Sequence, residues 1–477
     1  MAADSLYIDS LPGETRIAWV ENGRLSELEI VRAGRESLVG NVYLGRVEKI
    51  AAGIQSAFVD IGLGQSGFLS LKEAGETTAV TEGARLIVQV AKDPVAGKGA
   101  KLTARIGLPG RYLVHMPLAT RVRLSRRIGP PQEAARLTAL LAEAGLEGGY
   151  ILRTAAMGAG RDDLLADAAA TATLWERIRR KADGARPPLC LHAEPPPVHR
   201  VLRAAVEAGV GRIVFDSAEA LAEARAFVAA AAPSPMPRLD VHAGSRPLFE
   251  AAAIEEQIEA ALQPVVLLPS GGNIVIEETA ALTAVDVNTG AAGRDGGAGR
   301  GGLLANKEAA AEIGRQIRLR NIAGQVVIDF LPMRGPAAGA EVLRILKEAL
   351  ADDRCPSQVV GFTRLGLVEM TRERRRPSLR DILSDARPAA GIAKAPLTVA
   401  FDILRRIPSA VAAAPGRAIG IKAPASAIAA LHGPAAEARL RLEARLGRPL
   451  VMTADDSLLP DQFDIAPLAR QREKGHG

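Results

Sequence analysis

The chain has 477 residues, which at about 150 residues per domain is enough for three or more domains. Apolar residues make up 48% of it, enough for packed cores, and the net charge of +6 is compatible with a polyanionic partner. The two cysteines, Cys190 and Cys355, lie far apart and form no CxxC pair, which excludes a disulfide framework or a cysteine zinc site within one chain.

The N-terminal sequence does not have the pattern of a secretory signal. Asp4 and Asp9 lie where a signal peptide needs basic and then continuous apolar residues. No later apolar run approaches the roughly 18 residues that a membrane-spanning helix requires. We therefore expect a cytoplasmic protein that makes no membrane contact.

The first 105 residues read as short strands. Residues 15–30 predict a hairpin, because an apolar run is followed by the turn pair Asn22-Gly23 and then by alternating apolar residues. From residue 37 to residue 105, further short strands are separated by turns that contain glycine. This spacing predicts a small barrel of the oligonucleotide-binding type.

Residues 106–198 mix strand and helix patterns. PQEAARLTALLAEAG and DDLLADAAATATLWERIRRKAD have helical periodicity, whereas RYLVHMP and GGYILRTAA are typical of strands. The proline-rich AEPPPVHR then marks a boundary. The following segment, 199–262, is too small for an independent domain, so we expect it to pack on the N-terminal hairpin.

Two acidic residues end neighbouring apolar strands in the segment 263–380. Asp286 ends one strand and Asp329 the next, and Asn288 lies on the same face as Asp286 because strand side chains alternate. An all-oxygen site of this kind suits magnesium and indicates a metal-dependent nuclease. Between the strands we expect a mobile glycine-rich loop over residues 290–302 and a helix with Asn306 as its N-cap.

Three motifs in this region resemble the ribonuclease E/G family of bacterial endoribonucleases. They are LPSGGNIVIEETAALTAVDVNTG, EAAAEIGRQIRLRNIAGQVVIDF and FTRLGLVEMTRERRR, in the family's order and spacing. Weaker matches such as NVYLGRVEKI, SAFVDIG, QSGFLSLKE and ILRTAA extend the resemblance over the whole chain, which is similar in layout to the family's shorter members.

The resemblance implies a multidomain α/β fold in which an S1 (OB-type) barrel is inserted into a split RNase H-like subdomain. The implied domains are the RNase H-like parts 1–36 and 199–262, the S1 domain 37–105, the 5′-sensor 106–198, the DNase I-like catalytic subdomain 263–380, a linker 381–395, a small C-terminal α/β domain 396–466 and a flexible tail 467–477.

The resemblance also implies site residues. Asp286 and Asp329 match magnesium ligands, and Asn288 completes the catalytic set. The RNA-binding positions that it implies are Phe58, Phe68 and Lys98, and the 5′-phosphate sensor is Arg153 with Thr154. Arg318, Arg320 and Arg372 are further RNA-binding candidates, because the forked guanidinium donors of arginine suit phosphate. Each has a plainer interpretation: helix-capping aspartates, a turn asparagine, barrel-core rings, a solvated basic helix face and a strand-end arginine.

Three departures from the family pattern bear on assembly and activity. The segment LSDARPAAGIA has no cysteine or histidine where family members share a zinc between two chains, so we expect no zinc, and any homodimer is not linked by zinc. Ala280 replaces the usual Glu, and Pro332 replaces the usual second Asp. Changes around metal ligands can cost tenfold or more in affinity or activity, on the order known for metal sites generally.

Two functions therefore remain open from the sequence. The first is a magnesium-dependent endoribonuclease that cuts single-stranded, A/U-rich RNA carrying a 5′-monophosphate. The second is an RNA-binding protein of the same descent with weak or no nuclease activity. The intact Asp286, Asn288 and Asp329 favour the first.

Overall fold

A computed structural model describes residues 3–33, 37–74, 80–94, 98–125, 128, 131–143, 146, 148–231, 237–289, 297–351, 353–387 and 391–468. These residues separate into two compact units, one built from the segments 1–36 and 197–477 and the other from 37–196. No helix in the described part of the chain is both long and apolar enough to cross a membrane. Of the tail predicted to be flexible, residues 467–477, Pro467 ends the last strand and residues 469–477 lie outside the described residues.

The chain begins with three antiparallel strands, β1 (Ser5–Leu11), β2 (Glu14–Glu21) and β3 (Arg24–Arg32). Asn22 and Gly23 join β2 to β3, and both have positive φ, at 51° and 74°. A two-residue hairpin turn of this kind requires positive φ at both positions, which Asn-Gly adopts readily. The predicted hairpin is confirmed.

The second unit begins with a closed barrel of five strands. They are β4 (Val42–Ala51), β5 (Ser56–Asp60), β6 (Gly67–Ser70), β7 (Arg85–Lys92) and β8 (Lys101–Thr103). The order is β4-β5-β6-β8-β7, and β7 pairs back to β4. Val59, Leu69, Val88 and Leu102 fill the interior with no exposed surface. The closed barrel is consistent with the predicted OB/S1 type.

The rest of this unit packs helices on a second sheet. Its elements are β9 (Leu108–Pro109), β10 (Leu113–Met116), β11 (Val122–Leu124), α1 (Pro131–Glu143), β12 (Gly149–Leu152), α2 (Arg161–Ala182) and β13 (Leu189–His192). The sheet order is β11-β12-β10-β9, whereas β13 pairs with β4 of the barrel. Both helices predicted from periodicity are confirmed. The helix dipole of α2 is complemented at both ends, by Asp162 and Asp163 in the first turn and by Arg179 in the last turn.

The chain then returns to the first sheet through α3 (Pro197–Glu207), β14 (Arg212–Phe215), α4 (Ala218–Ala231), β15 (Arg238–Val241), α5 (Leu248–Ala251) and α6 (Glu255–Leu262). The five strands lie in the order β15-β14-β1-β2-β3, and β14 is parallel to β1. Leu6, Ile8 and Phe215 are fully buried beneath the helices. As predicted, the segment packs on the N-terminal strands.

A six-stranded sheet follows, built from β16 (Val265–Leu267), β17 (Asn273–Glu278), β18 (Thr283–Asn288), α7 (Gly297–Leu319), β19 (Gly324–Asp329), α8 (Pro336–Ala349), β20 (Ser357–Phe362) and β21 (Val368–Arg372). Its order is β16-β17-β18-β19-β21-β20, and only β18 and β19 are parallel. Parallel neighbours need a crossover, which α7 supplies. The buried face packs against α7 and α8, with Ile274, Val285, Ile313 and Ile328 in its core.

Two expectations about α7 were wrong. The helix begins at Gly297, so residues 297–302 are helical and not part of a loop, while residues 290–296 lie outside the described residues. Asn306 is therefore inside the helix and is not its N-cap. Its side chain instead bonds the backbone of Leu331, and that tertiary contact overrides the local preference of asparagine for helix ends.

The C-terminal segment comprises α9 (Leu379–Leu383), β22 (Ser384–Arg387), β23 (Gly391–Lys394), α10 (Pro396–Ala413), β24 (Ile419–Ala423), α11 (Ala425–His432), α12 (Ala436–Leu446), β25 (Val451–Ala454) and β26 (Asp464–Pro467). A capping box of Ser378 and Asp381 starts α9. The last three strands lie in the order β25-β24-β26. The segment predicted as a linker thus contains a two-stranded hairpin.

Buried ion pairs fasten this segment to the first sheet. Asp9 lies 2.6 Å from Arg16 and 2.8 Å from Arg405 of α10. Burial alone would raise the pKa of Asp9, but the charges of Arg405 and Arg16 hold it below its ordinary value. Burial and the negative charge of Asp9 together raise the pKa of neighbouring Asp216 to about 7. Asp216 accepts a hydrogen bond from the backbone N–H of Ser10 at 3.0 Å.

The raised pKa of Asp216 predicts a pH-dependent stability. The folded state binds this proton more tightly than the unfolded chain, so the contribution is complete at low pH and is lost as the pH rises through about 7. Asp216→Asn keeps an acceptor for Ser10 but cannot ionise. We expect it to raise the free energy of unfolding by about 1–3 kcal/mol at pH 8 and to leave it nearly unchanged at pH 4. Thermal unfolding at both pH values measures this. A variant that is less stable than the parent at pH 8 contradicts it.

Candidate functional site

The parallel pairing of β18 with β19 places Asp286 directly opposite Asp329, on the last pair of the register. Neighbouring strands lie about 4.8 Å apart and paired side chains point to the same face, so the two carboxylates are adjacent. Both side chains are exposed. The two aspartates predicted from the sequence are therefore brought together.

Asn288 shares this face because it follows Asp286 by two residues in β18. Its Nδ2 donates a hydrogen bond of 2.8 Å to Oδ2 of Asp286. The same nitrogen lies 3.4 Å from Oδ1 of Asn273 on β17, the residue paired with it across the sheet. Asn288 therefore orients one oxygen of the Asp286 carboxylate.

Two further carboxylates flank this pair on the same face. Glu277 of β17 is paired with Ala284, and Glu369 of β21 is paired with Val327, so each lies two residues from the level of the aspartates. Both are exposed. The sequence analysis missed them, because their proximity depends on the strand order and not on a motif. They make this face strongly acidic.

The donors that Asp286, Asp329 and Asn288 can offer a metal are oxygen atoms. Among the described residues, no group of three or more His, Cys, Asp and Glu side chains could hold a metal ion. Two carboxylates and an amide are oxygen donors of the kind that hard divalent cations take, with water and substrate phosphate filling the remaining positions. Magnesium is commonly held in this way by one or two carboxylates.

Arg318 and Arg320 lie at the C-terminal end of α7 and after it. Nη1 of Arg318 lies 3.5 Å from Oε1 of Glu21, and Nε of Arg320 donates to Oε1 of Gln316 at 2.6 Å. Burial lowers the pKa of Arg320 to about 10. These contacts are to protein groups, so the predicted RNA-binding role of both arginines stays a prediction.

Arg372 is only 5% exposed, and its guanidinium pairs with both oxygens of Asp353, at 2.6 and 3.0 Å. It also donates to the side chain of Asn321 and the carbonyl of Ile322, at 2.8 and 2.9 Å. A bidentate buried pair of this kind fastens β21 to neighbouring loops. The observed role of Arg372 is structural, and its role in RNA binding stays a prediction.

In the other unit, Phe58 and Phe68 are paired across β5 and β6. Their ring centroids lie 6.2 Å apart with an interplanar angle of 74°. Both rings are partly exposed and neither belongs to the buried barrel core, so the plainer interpretation of barrel-core rings is wrong. Lys98, the third predicted residue here, is exposed just before β8.

The strand register extends this aromatic pair into a row of four side chains. Lys49 of β4 is paired with Phe58, and Lys101 of β8 is paired with Phe68. Both lysines are exposed. We refer to Lys49, Phe58, Phe68 and Lys101 as the Lys–Phe row. The sequence analysis missed both lysines, since the row exists only once four strands are aligned.

Arg153 and Thr154 follow β12, at the start of a 3₁₀ turn. Nη1 of Arg153 donates to the carbonyl of Gly110 at 2.7 Å. Asp167 holds the loop that follows Gly110. Its carboxylate accepts hydrogen bonds from the backbone N–H groups of Arg111, at 2.9 Å, and of Tyr112 and Leu113. The structure thus places the Arg153 guanidinium against this loop, and its predicted sensor role stays a prediction.

The chain is similar in sequence to known ribonucleases. The sequence model of the Ribonuclease E/G family matches residues 107–375, more than half of the chain. Ribonuclease G of Escherichia coli K12 is 36% identical over 485 residues, covering 96% of this chain and 99% of that protein.

The chain belongs to the ribonuclease E/G family.

Other relatives agree. Ribonuclease G of Haemophilus influenzae is 37% identical, covering 85% of this chain and 87% of its own length. Ribonuclease E of Nostoc is 37% identical over 82% of this chain and 59% of that protein. This member of the ribonuclease E/G family is therefore an endoribonuclease, which favours the enzyme over a mere RNA-binding descendant.

The segment where we expect family members to carry zinc-binding cysteines is a hairpin in this chain. Strands β22 and β23 pair there, and the sequence from Leu383 to Ala393 contains neither cysteine nor histidine. Thiolate and imidazole are the ligands that structural zinc sites use. Assembly of this family member without a zinc link stays a prediction.

The Lys–Phe row generates a test of RNA binding by the barrel. Phe68→Ala should weaken binding of a single-stranded RNA by roughly 5- to 160-fold, because stacking on an aromatic ring contributes about 1–3 kcal/mol per base. Lys101→Gln should reduce the slope of log affinity against log salt by about 0.7, the value for one contact with single-stranded phosphate. Fluorescence anisotropy in EDTA at several salt concentrations measures both without cleavage.

The matched control for Lys101 is Lys72→Gln, which removes an exposed lysine that lies outside the row. It should leave the salt slope unchanged. Equal slopes for the parent, Lys101→Gln and Lys72→Gln would show that the row does not contact RNA.

Proposed function

We propose that this endoribonuclease is magnesium-dependent and cuts single-stranded RNA at the face formed by β18 and β19, with Asp286 and Asp329 as the magnesium ligands. The observation that carries the proposal is the register that sets these two carboxylates side by side. The bond from Asn288 to Asp286 supports it, because it holds one ligand oxygen in a fixed direction.

When bound, magnesium supplies charge neutralisation at the scissile phosphate and lowers the pKa of a coordinated water. The chain's own contribution is positional. Asp286 and Asp329 present oxygens from two strands of one rigid sheet, and Asn288 orients the first of them. Because the flanking Glu277 and Glu369 add negative charge, this face repels phosphate unless a cation intervenes.

The substrate proposal rests on the barrel. The Lys–Phe row offers two rings to bases and a lysine at each end to phosphates. Rings can stack only on unpaired bases, which supports a single-stranded substrate. A preference for A/U-rich RNA is part of the proposal, because A/U-rich segments form the weakest duplexes and so present unpaired bases.

A preference for 5′-monophosphorylated RNA is proposed on Arg153 and Thr154. A guanidinium and a hydroxyl suit a terminal phosphate. The Arg153 guanidinium donates to the carbonyl of Gly110, and three backbone bonds to Asp167 hold the loop that follows Gly110, so the position of the guanidinium is defined.

The domain assignments are proposals of the same kind. We assign the sheet β15-β14-β1-β2-β3 to an RNase H-like subdomain and the sheet with Asp286 and Asp329 to a DNase I-like catalytic subdomain. The strand orders and the insertion of residues 37–196 between two parts of one unit support this layout. Any homodimer is proposed to form without zinc.

The metal site is tested by removing one charge at a time. Asp286→Asn and Asp329→Asn should each lower the cleavage rate at saturating RNA by roughly 100-fold or more, since a lost charge at a preorganised site costs about that much. The assay follows a fluorescent RNA with a 5′-phosphate in magnesium and in EDTA. Glu369→Gln, which removes an exposed carboxylate two residues away in the register, should change the rate less than threefold.

Magnesium-dependent cleavage that survives both aspartate substitutions would place the site elsewhere. If EDTA does not affect cleavage by the parent, cleavage does not require magnesium.

The 5′-end proposal is tested by comparing two RNAs that differ only in a 5′-phosphate or 5′-hydroxyl. Arg153→Ala should reduce the preference for the phosphorylated RNA by roughly 10-fold, the equivalent of one hydrogen bond to a charged group. Cutting of the 5′-hydroxyl RNA should be unchanged. The control is Arg179→Ala, an exposed arginine of α2 that pairs with Glu176. If the preference persists in Arg153→Ala, the sensor lies elsewhere.

A further inference from the structure

Asn306 is fully buried in the middle of α7, at 0% exposure. Asparagine is an unfavourable choice there, because its side chain competes with the helical backbone and a buried amide is costly unless it is bonded. Alanine occupies the nearest buried positions of the helix, which are Ala305, Ala309 and Ala310. The position therefore departs from the local pattern, and such departures concentrate at functional sites.

Both polar atoms of the Asn306 side chain bond to the backbone of one residue. Nδ2 donates to the carbonyl of Leu331 at 2.9 Å, and Oδ1 accepts from the N–H of Leu331 at 3.0 Å. A neighbouring strand would bond a residue's N–H and C=O in a similar way. The side chain thus takes the place of a strand partner for Leu331.

This contact lies just beyond the end of the strand ladders. The β18–β19 register ends with the pair Asp286 and Asp329, and the β19–β21 register ends one residue earlier, at Ile328. Leu331 follows Asp329 by two residues. Asp329 therefore lies between the last strand pair and the bonds to Asn306.

Asp286 is supported differently. Residues on both sides of it pair with β17, through Val287 and Asn288 on one side and Val285 on the other. In β19, by contrast, the residues that pair with β18 and β21 precede Asp329 or end at it. Phe330 is buried in the core beneath the sheet and keeps this part of the backbone close to that core. A single buried ring does not, however, fix the rotation of the peptide groups beside it.

We propose that Asn306 is a positioning residue, which holds the backbone beyond Asp329 so that the Asp329 carboxylate faces Asp286. The inference rests on the proposed function, because it concerns the same metal site. Asn306 acts through Leu331 and touches neither metal nor RNA. Loss of its two bonds lets the end of β19 rotate, which separates the ligand oxygens and weakens metal binding.

A purely structural role, in which Asn306 only fastens α7 to the sheet, has a different consequence. It lowers the thermal midpoint without changing the affinity of the folded protein for metal. The chain offers a matched control in Gln257 of α6, whose side chain also bonds a backbone N–H and a backbone C=O, those of Leu25 at 2.7 Å and Gly23 at 3.2 Å. Those bonds support the β2–β3 hairpin and not the catalytic sheet.

The experiment measures metal binding directly, with Mn²⁺ as a paramagnetic substitute for Mg²⁺. Free Mn²⁺ is followed by electron paramagnetic resonance in full-length parent, Asn306→Ala, Asn306→Asp and Gln257→Ala, without RNA. We expect Asn306→Ala to weaken Mn²⁺ binding by about 10-fold, the usual size for groups that orient metal ligands. Gln257→Ala should lower the thermal midpoint while Mn²⁺ binding stays within twofold of the parent.

Asn306→Asp controls for the cavity that alanine leaves, because it has nearly the same shape. It keeps an acceptor for the N–H of Leu331, but its second oxygen faces the Leu331 carbonyl with no proton to donate, so we expect Mn²⁺ binding to weaken by about 10-fold or more. In cleavage assays, the Mg²⁺ concentration for half-maximal rate should rise in both Asn306 variants, whereas the RNA affinity measured in EDTA should not change. Parent-like Mn²⁺ binding in the folded Asn306 variants overturns the inference.

The two proposals fail in different ways. If Mn²⁺ binding is weakened by neither Asp286→Asn nor Asp329→Asn, the proposed metal site is wrong. If both aspartate variants lose binding and the Asn306 variants retain it, the metal site stands and only the positioning role falls.

Discussion

The parallel pairing of β18 and β19 is the interaction on which the candidate active site depends. A strand alternates its side chains between faces, so a slip of one residue would turn either aspartate into the core. The register is fixed from the other face, where Val285 and Ile328 are buried beneath α7 and α8. Apolar packing on one side of the sheet thereby sets the alignment of the carboxylates on the other.

Helix α7 connects β18 to β19, and it also packs against the sheet and holds one of its turns. Its apolar residues Ala309, Ala310, Ile313 and Ile317 cover the sheet. Glu308 accepts the backbone N–H of Ser270 at 2.9 Å and so holds the turn before β17. The crossover that makes a parallel pair possible also supports the loops at the edge where the acidic residues lie.

Much of this arrangement could be predicted from the sequence because it depends on local signals. The Asn22-Gly23 turn, the periodicity of α2 and the alternation around Asp286 each constrain a few neighbouring residues. The start of α7 could not be predicted in this way. Glycines are poor helix formers, and helical structure from Gly297 onward conflicts with that local preference.

Features that depend on distant residues were also missed. The lysines of the Lys–Phe row are separated in the chain from the rings they flank, and only the barrel register aligns them. The burial of Arg372 against Asp353 depends on a loop that meets the end of β21, whereas the sequence shows only a basic run. Charge patterns predict the presence of cations but not whether a protein carboxylate neutralises them.

The most direct test of the account is a crystal of the full chain soaked in Mn²⁺, with anomalous scattering recorded at the manganese edge. We expect one strong peak within coordination distance of both Asp286 and Asp329, and we expect it to be lost in crystals of Asp329→Asn. A peak held by Glu277 or Glu369 instead, or a peak at the aspartate pair that persists in Asp329→Asn, would contradict it.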